Sequence, residues 1–561
     1  MTEILQLIHA MQMRSFFSAS VSVLLAAPFA LAQTSAEPSP AELDRVFAQW
    51  SSNEGPGCAV AASRDGRTIY EAAYGMANLE TGTPITPASI FHSASVSKQF
   101  TAMALMLLAR DGKLSLDDEV RKYIPELPDY GHRITLRHLL HHTSGLRDQW
   151  DLLALSRGRF EEDRITEADV LDIVTRQKAL NFVPETEYLY SNTGYTLAGT
   201  VVHRVSGKTL RQFADERIFK PLGMTSTHFH DDYHMIVKGR TSAYARRPDG
   251  QWRVSIPNFD TYGATSLYTT VGDLLEWQEN FRKTVVGDTA MLREMQTSAV
   301  LANGDTTGYG LGVSVGGGRG RMLVGHSGAD AGYRAYTGRY PEYGFAIAVL
   351  CNASTSNPSA LADSVSKLFV KALRGGQPAA PVVAKTPPAA EQLGRYAGLY
   401  VNATTGGMNW VSVKDGKLIA GRTSGPELVP LGGNRFWFDG PRSELEFTAD
   451  GKLVLRFRGT PPRQPVTLVR HEPARPSVAD LARYVGSYYS EELDATYTVA
   501  VTDTALALRT GTSQPRTVTP AYRDTFVGFA RIEFTRDASG RIAGMLVSTG
   551  RTRNVRFDRV R

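Results

Sequence analysis

The spacing of apolar and polar positions changes along the chain and divides it into regions. Over about residues 41–374, short apolar runs alternate with segments of helical period, which predicts an α/β domain. Residues 375–391 are rich in Pro and Ala and are typical of a semi-rigid linker. Beyond them, short alternating segments with Gly and Asp-Gly turns predict β-strands only.

The all-β region is an internal repeat. The motif RYAGLY at residues 395–400 returns 88 residues later as RYVGSY at 483–488. A fixed offset of this size indicates two copies of one folding unit. We therefore predict two antiparallel, barrel-like all-β domains of about eight short strands each, over residues 392–471 and 477–561.

Residues 1–32 have the features of an export signal. Arg14 precedes an apolar stretch that ends in Ala30-Leu31-Ala32, the small-x-small pattern that signal peptidase requires. A membrane anchor is the alternative, but the stretch contains serines and Pro28 and is short for a span. We predict that the segment is cleaved and that the mature chain is periplasmic or secreted, with no stable membrane span.

Composition excludes several classes of protein and adds one question about redox state. The 62 Lys and Arg nearly balance the 56 Asp and Glu, so we expect no nucleic-acid partner. Nothing in the composition indicates an oligomeric state. The chain has 2 cysteines, Cys58 and Cys351, each at the end of a strand-like run. Taken alone, the pattern favours two buried free thiols, while export to an oxidising compartment leaves a disulfide open.

The strongest chemical signal is Ser95-x-x-Lys98, directly before an apolar helical segment at residues 100–109. Backbone N–H groups at a helix N-terminus stabilise developing negative charge, and Lys98 lies on the same face as Ser95. A lysine in an apolar site loses part of its preference for the charged form, so it can accept the serine proton. Ser95 is therefore the candidate nucleophile and Lys98 its proton acceptor.

Two similar motifs are interpreted as unrelated to catalysis. Ser364-x-x-Lys367 falls on the polar side of an amphipathic segment, which predicts a surface helix. The G-x-S-x-G pattern around Ser314 lacks the helix that must follow a nucleophile elbow, so we predict one arm of a hairpin there.

Two further motifs support Ser95. Tyr190-x-Asn192 opens a predicted helix, and a phenol near a lysine ammonium has its ionised form favoured, so Tyr190 is a candidate general base. Asn192 is placed to hold Lys98 and a substrate carbonyl. His326-x-Gly328 precedes a strand whose Ala329 N–H is a candidate second oxyanion donor, opposite the Ser95 N–H.

In this order, the three motifs resemble those of the penicillin-recognising serine hydrolases, which include class C β-lactamases, D-Ala-D-Ala carboxypeptidases, D-aminopeptidases and related esterases. The resemblance covers about residues 41–374 and implies an antiparallel sheet flanked by helices, with an all-helical subdomain. It implies acylation of Ser95, and it implies that the first and last strands of the sheet are neighbours. That arrangement would bring Cys58 close to Cys351, where a disulfide can form.

The main departure from the family is His326, because class C β-lactamases have Lys at this position. A mostly neutral histidine anchors a substrate carboxylate less firmly. This favours an exported hydrolase that acts through an acyl-enzyme on a small amide, short peptide or ester, and the two β domains are similar to those of bacterial D-aminopeptidases. The alternatives are a class C β-lactamase and a non-catalytic cell-envelope binding protein that keeps the fold.

Histidine clusters raise the question of a metal site. His138, His141 and His142 have helical spacing, and a second cluster lies at residues 228–234. Both occur in predicted loop contexts, where histidines without metal are the more frequent case. We therefore predict no metal and no cofactor.

Overall fold

The structure is a computed structural model, and it describes residues 37–316, 322–373, 390–438, 443–457 and 464–560. The predicted export signal and most of the predicted linker lie outside these residues. Within the described ranges, no helix has both the length and the apolar character needed to cross a bilayer.

The first region is built around a six-stranded antiparallel sheet in the order β12-β13-β14-β15-β1-β2. The strands of this sheet are β1 Cys58–Arg64, β2 Arg67–Tyr74, β12 Ser314–Gly316, β13 Leu323–Asp330, β14 Tyr333–Tyr340 and β15 Phe345–Cys351. Smaller strands beside it are β3 Met76–Asn78, β4 Thr83–Pro84, β5 Phe91–His92, β6 Ile165–Thr166, β7 His228–Phe229, β8 Tyr244–Arg246, β9 Trp252–Val254, β10 Phe259–Asp260 and β11 Leu267–Thr269.

The first and last strands of this sheet, β1 and β15, pair with Cys58 opposite Cys351. The two residues form a disulfide. The interpretation as free thiols is therefore wrong, because antiparallel pairing of strands that are far apart in the chain brings the two sulfurs together. The disulfide therefore links the first and last strands of the sheet in chain order.

Helices cover the sheet and form a separate helical layer. They are α1 Pro40–Phe47, α2 Lys98–Arg110, α3 Leu136–Leu140, α4 Gln149–Arg157, α5 Glu167–Thr175, α6 Asn192–Ser206, α7 Leu210–Ala214, α8 Lys220–Leu222, α9 Val271–Lys283, α10 Thr289–Met295 and α11 Pro358–Phe369. Helix α2 is buried over nearly its whole length because its apolar residues extend around all sides. It packs against α6, and the two helices carry Lys98 and Asn192 at their N-termini.

The repeat forms two eight-stranded antiparallel units, each preceded by a short helix, α12 Ala390–Leu393 or α13 Val478–Leu481. We call them the first and second barrel. The first contains β16 Gly398–Val401, β17 Met408–Lys414, β18 Lys417–Ala420, β19 Val429–Gly432, β20 Arg435–Phe438, β21 Ser443–Phe447, β22 Leu453–Phe457 and β23 Val466–His471. The second contains β24 Gly486–Ser490, β25 Ala495–Thr502, β26 Ala505–Thr510, β27 Arg516–Tyr522, β28 Thr525–Val527, β29 Arg531–Arg536, β30 Ile542–Ser548 and β31 Val555–Val560.

The fold class predicted from the sequence is confirmed, with an α/β region followed by two β units. The second barrel is closed, with β31 paired to β24. Its buried side chains belong to the same continuous apolar core as those of the α/β region, whereas the first barrel has a separate core. Burial of shared apolar surface is the main stabilising term in such packing, so the second barrel is attached more firmly to the α/β region.

Candidate active site

Ser95 lies in a short 3-10 turn, Ala94–Ser97, that leads directly into α2. The turn begins with Ala94 at a φ of 49°, a left-handed conformation that is unfavourable for a residue with a Cβ atom. The Ala94 N–H donates to His92 Nδ1, and Ser97 Oγ donates to the Ala94 carbonyl at 2.5 Å. These bonds hold the strained turn and leave Ser95 partly exposed at the cavity.

Lys98 is completely buried and uses all three of its N–H donors. Its Nζ donates to Ser95 Oγ at 3.0 Å, to Asn192 Oδ1 at 2.8 Å and to the Ala264 carbonyl at 2.7 Å. Burial lowers the pKa of Lys98 from its usual value, although the carboxylates of Asp330 and Asp148 oppose the shift. A lysine with a lowered pKa is suited to accept a proton from the serine it contacts.

Asp148 fixes Asn192 and thereby the lysine. One carboxylate oxygen of Asp148 accepts from the Asn192 backbone N–H at 2.7 Å and from Asn192 Nδ2 at 2.8 Å. The carboxylate thus lies at the N-terminus of α6, where negative charge is favourable. Asn192 holds Lys98 through Oδ1, as predicted. Its amide is oriented by the bond from Nδ2 to Asp148.

Tyr190 lies beside Lys98, as expected, but its phenol is not in the ionised form that the sequence predicted. Lys98 Nζ lies 4.8 Å from the centre of the Tyr190 ring. The phenol oxygen is buried without a hydrogen-bond partner in the described part of the chain, and Ser95 is close enough to lower its pKa without completing such a bond. Burial outweighs this effect and raises the pKa of Tyr190, so the expectation of a favoured phenolate is wrong.

His326 is held as a neutral imidazole. Its Nδ1 donates to the Ser327 carbonyl at 2.6 Å, so Nε2 accepts from the Tyr309 hydroxyl at 2.9 Å. Burial first, and the nearby Lys98 second, lower the pKa of His326 to about 3. The imidazole therefore carries no positive charge near neutral pH.

Strand β13 comes very close to the serine turn. A Cβ atom on Gly328 would lie 2.1 Å from the Ser93 carbonyl oxygen, so only glycine allows this approach. The strand thereby brings Ala329 to the same cavity as Ser95. Six of the seven predicted site residues therefore line one cavity, and the seventh, Lys98, is buried behind it and bonded to Ser95 and Asn192.

The cavity has a volume of about 560 Å³. It is lined by aromatic and polar side chains and by four formally charged residues, Glu161, Asp330, Arg334 and Arg551. Ser314, assigned to a hairpin arm, does lie in a strand and also lines this cavity. Ser364 and Lys367 are exposed on α11, as predicted.

The family model described as Beta-lactamase matches residues 43–371. The chain belongs to the beta-lactamase family. Among its relatives, the D-aminopeptidases of Brucella canis and Gluconobacter oxydans are each 26% identical to it. The first alignment covers 90% of this chain and 96% of the relative, and the second covers 78% and 80%.

Solved structures agree with this assignment. The octameric penicillin-binding protein homologue from Pyrococcus abyssi superposes with a TM-score of 0.54 at 25% identity, over 76% of this chain and 99% of that one. The resemblance drawn from the motifs is confirmed, and the chain is a serine hydrolase of the beta-lactamase fold.

In this family member, the second barrel reaches the catalytic cavity. The loop between β30 and β31 places Arg551 in the cavity lining, with its guanidinium 4.9 Å from the centre of the Tyr190 ring. Beside the cavity, Arg147 is buried and donates to Glu492 and to the carbonyls of Arg553 and Asn554. The barrel is thus bonded to the residue that precedes Asp148.

Sequence reasoning did not identify Asp148, the Ala264 carbonyl or Arg551. Asp148 is the N-cap residue of α4, a position where aspartate is common, so its local sequence does not distinguish it. A backbone carbonyl has no sequence signature. Arg551 is one of many arginines in the barrels, so only its position in the folded chain distinguishes it.

The predicted histidine clusters do not converge on a metal site. No group of three or more His, Cys, Asp or Glu side chains suited to a metal ion occurs in the ranges that the structure describes. His142 packs against Tyr190, with ring centres 4.1 Å apart and ring planes inclined by 35°, and its Nδ1 accepts from the Ser191 N–H at 3.1 Å. This histidine supports the Tyr190 segment.

Proposed function

We propose that the chain is an exported D-aminopeptidase-like amide hydrolase that forms an acyl-enzyme on Ser95. The observation that carries the proposal is the 3.0 Å hydrogen bond between Lys98 Nζ and Ser95 Oγ at the edge of the cavity. The nucleophile, its proton acceptor and a substrate-sized space occur together, as covalent catalysis requires. A protein that only binds has no need for a buried lysine directed at a serine.

In the first step, Ser95 Oγ attacks the substrate carbonyl carbon, and its proton passes to the neutral amine of Lys98. The C–O bond forms while the carbonyl oxygen becomes an oxyanion, which the backbone N–H groups of Ser95 and Ala329 stabilise. The C–N bond then breaks, and the leaving amine takes a proton from Tyr190 or Lys98. The raised pKa of Tyr190 suits a proton donor and relay rather than a standing base.

In the second step, water attacks the ester carbon and gives its proton to the same lysine and tyrosine pair. The ester C–O bond breaks, Ser95 regains its proton, and the acid product leaves. The net reaction is amide plus water giving acid plus amine. No group other than the chain's own residues is needed for this balance.

Amide hydrolysis of amino-acid derivatives is supported by two independent features. The relatives named D-aminopeptidase align over both barrels as well as the α/β region, as shown by the coverage of 90% of this chain. In addition, Glu161 and Asp330 line the cavity and offer carboxyl oxygens to a substrate amino group. A neutral His326 disfavours a β-lactamase that relies on a cation at this position.

Export is part of the proposal. The segment at residues 1–32 has the pattern of a cleaved signal, and the disulfide between Cys58 and Cys351 fits an oxidising compartment. Fractionation of the native host, with the N-terminus of the mature protein sequenced, tests this part. Cleavage after Ala32 supports it, and an intact cytoplasmic chain contradicts it.

The activity is tested by hydrolysis of D-alanine 4-nitroanilide, its L-isomer, a short nitrophenyl ester and nitrocefin. We expect the D-anilide to be the best substrate. Ser95→Ala should abolish turnover and labelling by a fluorophosphonate, whereas Ser364→Ala, in the exposed motif, should change neither. If nitrocefin is the best substrate, the β-lactamase alternative is correct. If wild type hydrolyses nothing and is not labelled, the binding-protein alternative is favoured.

A further inference from the structure

The second barrel supplies a cation, the Arg551 guanidinium, to the catalytic cavity. Among the described residues, the Arg551 guanidinium has no ion pair and no hydrogen bond, and it lies over the face of the Tyr190 ring. Its neighbour Arg553 is paired with Glu187 at 2.9 and 3.2 Å, and Arg334 donates to the carbonyls of Ala331 and Tyr333. Of the two guanidiniums that line the cavity, Arg334 is bonded to backbone carbonyls through Nη1, whereas the Arg551 guanidinium forms no hydrogen bond within the described residues.

The backbone of Arg551 is held firmly by the α/β region. Its N–H donates to Asp151 at 2.9 Å, and its carbonyl accepts from Asn181 Nδ2 at 2.9 Å. The Asp148 N–H adds a longer bond to the same carbonyl, at 3.4 Å. A residue fixed on both sides of its peptide, with an unpaired charged end in a cavity, is arranged to bind rather than to hold the fold together.

Each carboxyl group around the cavity accepts a hydrogen bond from within the protein, and none forms an ion pair with Arg551 in the described part of the chain. Asp148 accepts from Asn192, Glu161 accepts from the Ala331 N–H, and Asp330 accepts from Thr265 Oγ1. The positive charge of Arg551 lowers the pKa of both Lys98 and Tyr190, which places it within electrostatic reach of the proton-transfer pair. His326 is neutral, so Arg551 is the cation that faces an incoming anion.

We propose that Arg551 binds a carboxylate on the leaving-group side of the substrate, so that the enzyme prefers short peptides with a free C-terminus over neutral amides. The inference rests on the proposed amide hydrolysis. The Tyr190 phenol is close to Ser95, and Arg551 lies over the ring of the same residue. A tyrosine that protonates the leaving amine must lie against the leaving group. A guanidinium on that tyrosine's face therefore meets the leaving amino acid, whose carboxylate it matches with two parallel N–H donors.

The test compares two substrates that differ only in this charge, D-alanyl-glycine and D-alanyl-glycinamide. We expect kcat/KM of the wild type to be at least about tenfold higher for D-alanyl-glycine than for D-alanyl-glycinamide, a difference typical of a partly exposed charge pair. Arg551→Ala should remove the preference by lowering kcat/KM for D-alanyl-glycine alone, and Arg551→Lys should retain part of it. Arg556→Ala, which removes an exposed arginine of β31 paired with Asp558, is the matched control.

The outcomes separate the two proposals. If wild type hydrolyses neither dipeptide nor the D-anilide, the proposed function fails. If wild type cleaves both dipeptides but does not prefer the carboxylate, or if Arg551→Ala lowers both rates equally, the inference about Arg551 is overturned while the hydrolase function stands. High salt should weaken the wild-type preference and leave the glycinamide rate unchanged.

Discussion

The two barrels are copies of one unit, yet only the second reaches the catalytic cavity. At the offset of 88 residues, Glu492 of the second copy corresponds to Thr404 of the first. Glu492 pairs with the buried Arg147, whereas the first barrel meets the α/β region through a hydrogen bond from the Gln464 N–H to Asp305. The first barrel packs instead on the second through a small apolar cluster. Of the two copies, the second thus lines the cavity, and single side chains bond it to the α/β region.

The largest expected effect comes from breaking this docking. Glu492→Ala leaves Arg147 buried without its carboxylate, which costs about 3–5 kcal/mol of unfolding free energy. Because Arg147 precedes Asp148, kcat/KM should also fall, by tenfold or more. Thermal unfolding and D-anilide hydrolysis measure the two effects.

The matched change in the first barrel is Glu444→Ala. Glu444 is 2% exposed and Glu492 4%, and both pair with an arginine. We expect Glu444→Ala to lower stability while kcat/KM is unchanged. Equal loss of activity in both variants would contradict the difference between the barrels.

The second prediction concerns the loss of folding stability at acidic pH. Burial lowers the pKa of His92 and His326 to about 3 and that of His141 to about 4, and all three lie in the α/β region. In the unfolded chain these histidines take up protons below about pH 6.5, while the folded chain does not until about pH 3–4. Stability is therefore fully present above pH 6.5 and is lost as pH falls, by on the order of 1 kcal/mol per pH unit for each histidine.

Tryptophan fluorescence and calorimetry between pH 7 and 4 test this prediction. The α/β region should lose stability before the first barrel does, so the two transitions should separate as pH falls. His326→Gln should reduce the pH dependence, since glutamine does not titrate. A single transition with no shift between pH 7 and 5 would show the prediction to be wrong.

A smaller effect is expected from loosening the loop that carries Arg551. Asp151 accepts from the Arg551 N–H and from Thr549 Oγ1. Asp151→Ala should raise KM for D-alanyl-glycine about tenfold with little change in kcat, because binding and not proton transfer is affected. Asp494→Asn, which suits the left-handed φ of 47° at this residue and removes the charge of exposed ion pairs with Arg157 and Arg176, should leave KM unchanged. Equal KM changes in the two variants would contradict the role of the loop.

The smallest effect is expected at the contact between the barrels. Trp410 packs with Met408 against Leu399 and Ala521 there. Trp410→Ala should lower the free energy of unfolding by about 1–3 kcal/mol, because the side chain is only half-buried. kcat/KM should stay within twofold of wild type for both dipeptides. A large loss of activity would show that the first barrel also supports the cavity.

Much of the molecule could be predicted because its signals are local. The period of apolar positions indicated α2 and the paired β units, and the residues around Ser95, Tyr190 and His326 identified the family. The phenolate expected at Tyr190 was wrong because the effect of burial on its pKa depends on what packs around the ring. Cys58 and Cys351 could not be paired from their own positions, since pairing depends on the strand order of the sheet.

The sequence by itself determined which residues are candidates for the chemistry, because hydroxyl, amine, phenol and imidazole groups are properties of single side chains in recognisable contexts. Only the tertiary structure decided the protonation state of these groups and which other residues lie beside them. Lys98 loses its preference for charge because α2 and α6 exclude water around it, and Arg551 enters the cavity because one barrel docks on Arg147. These are effects of desolvation and distance, and both arise only once remote segments are packed together.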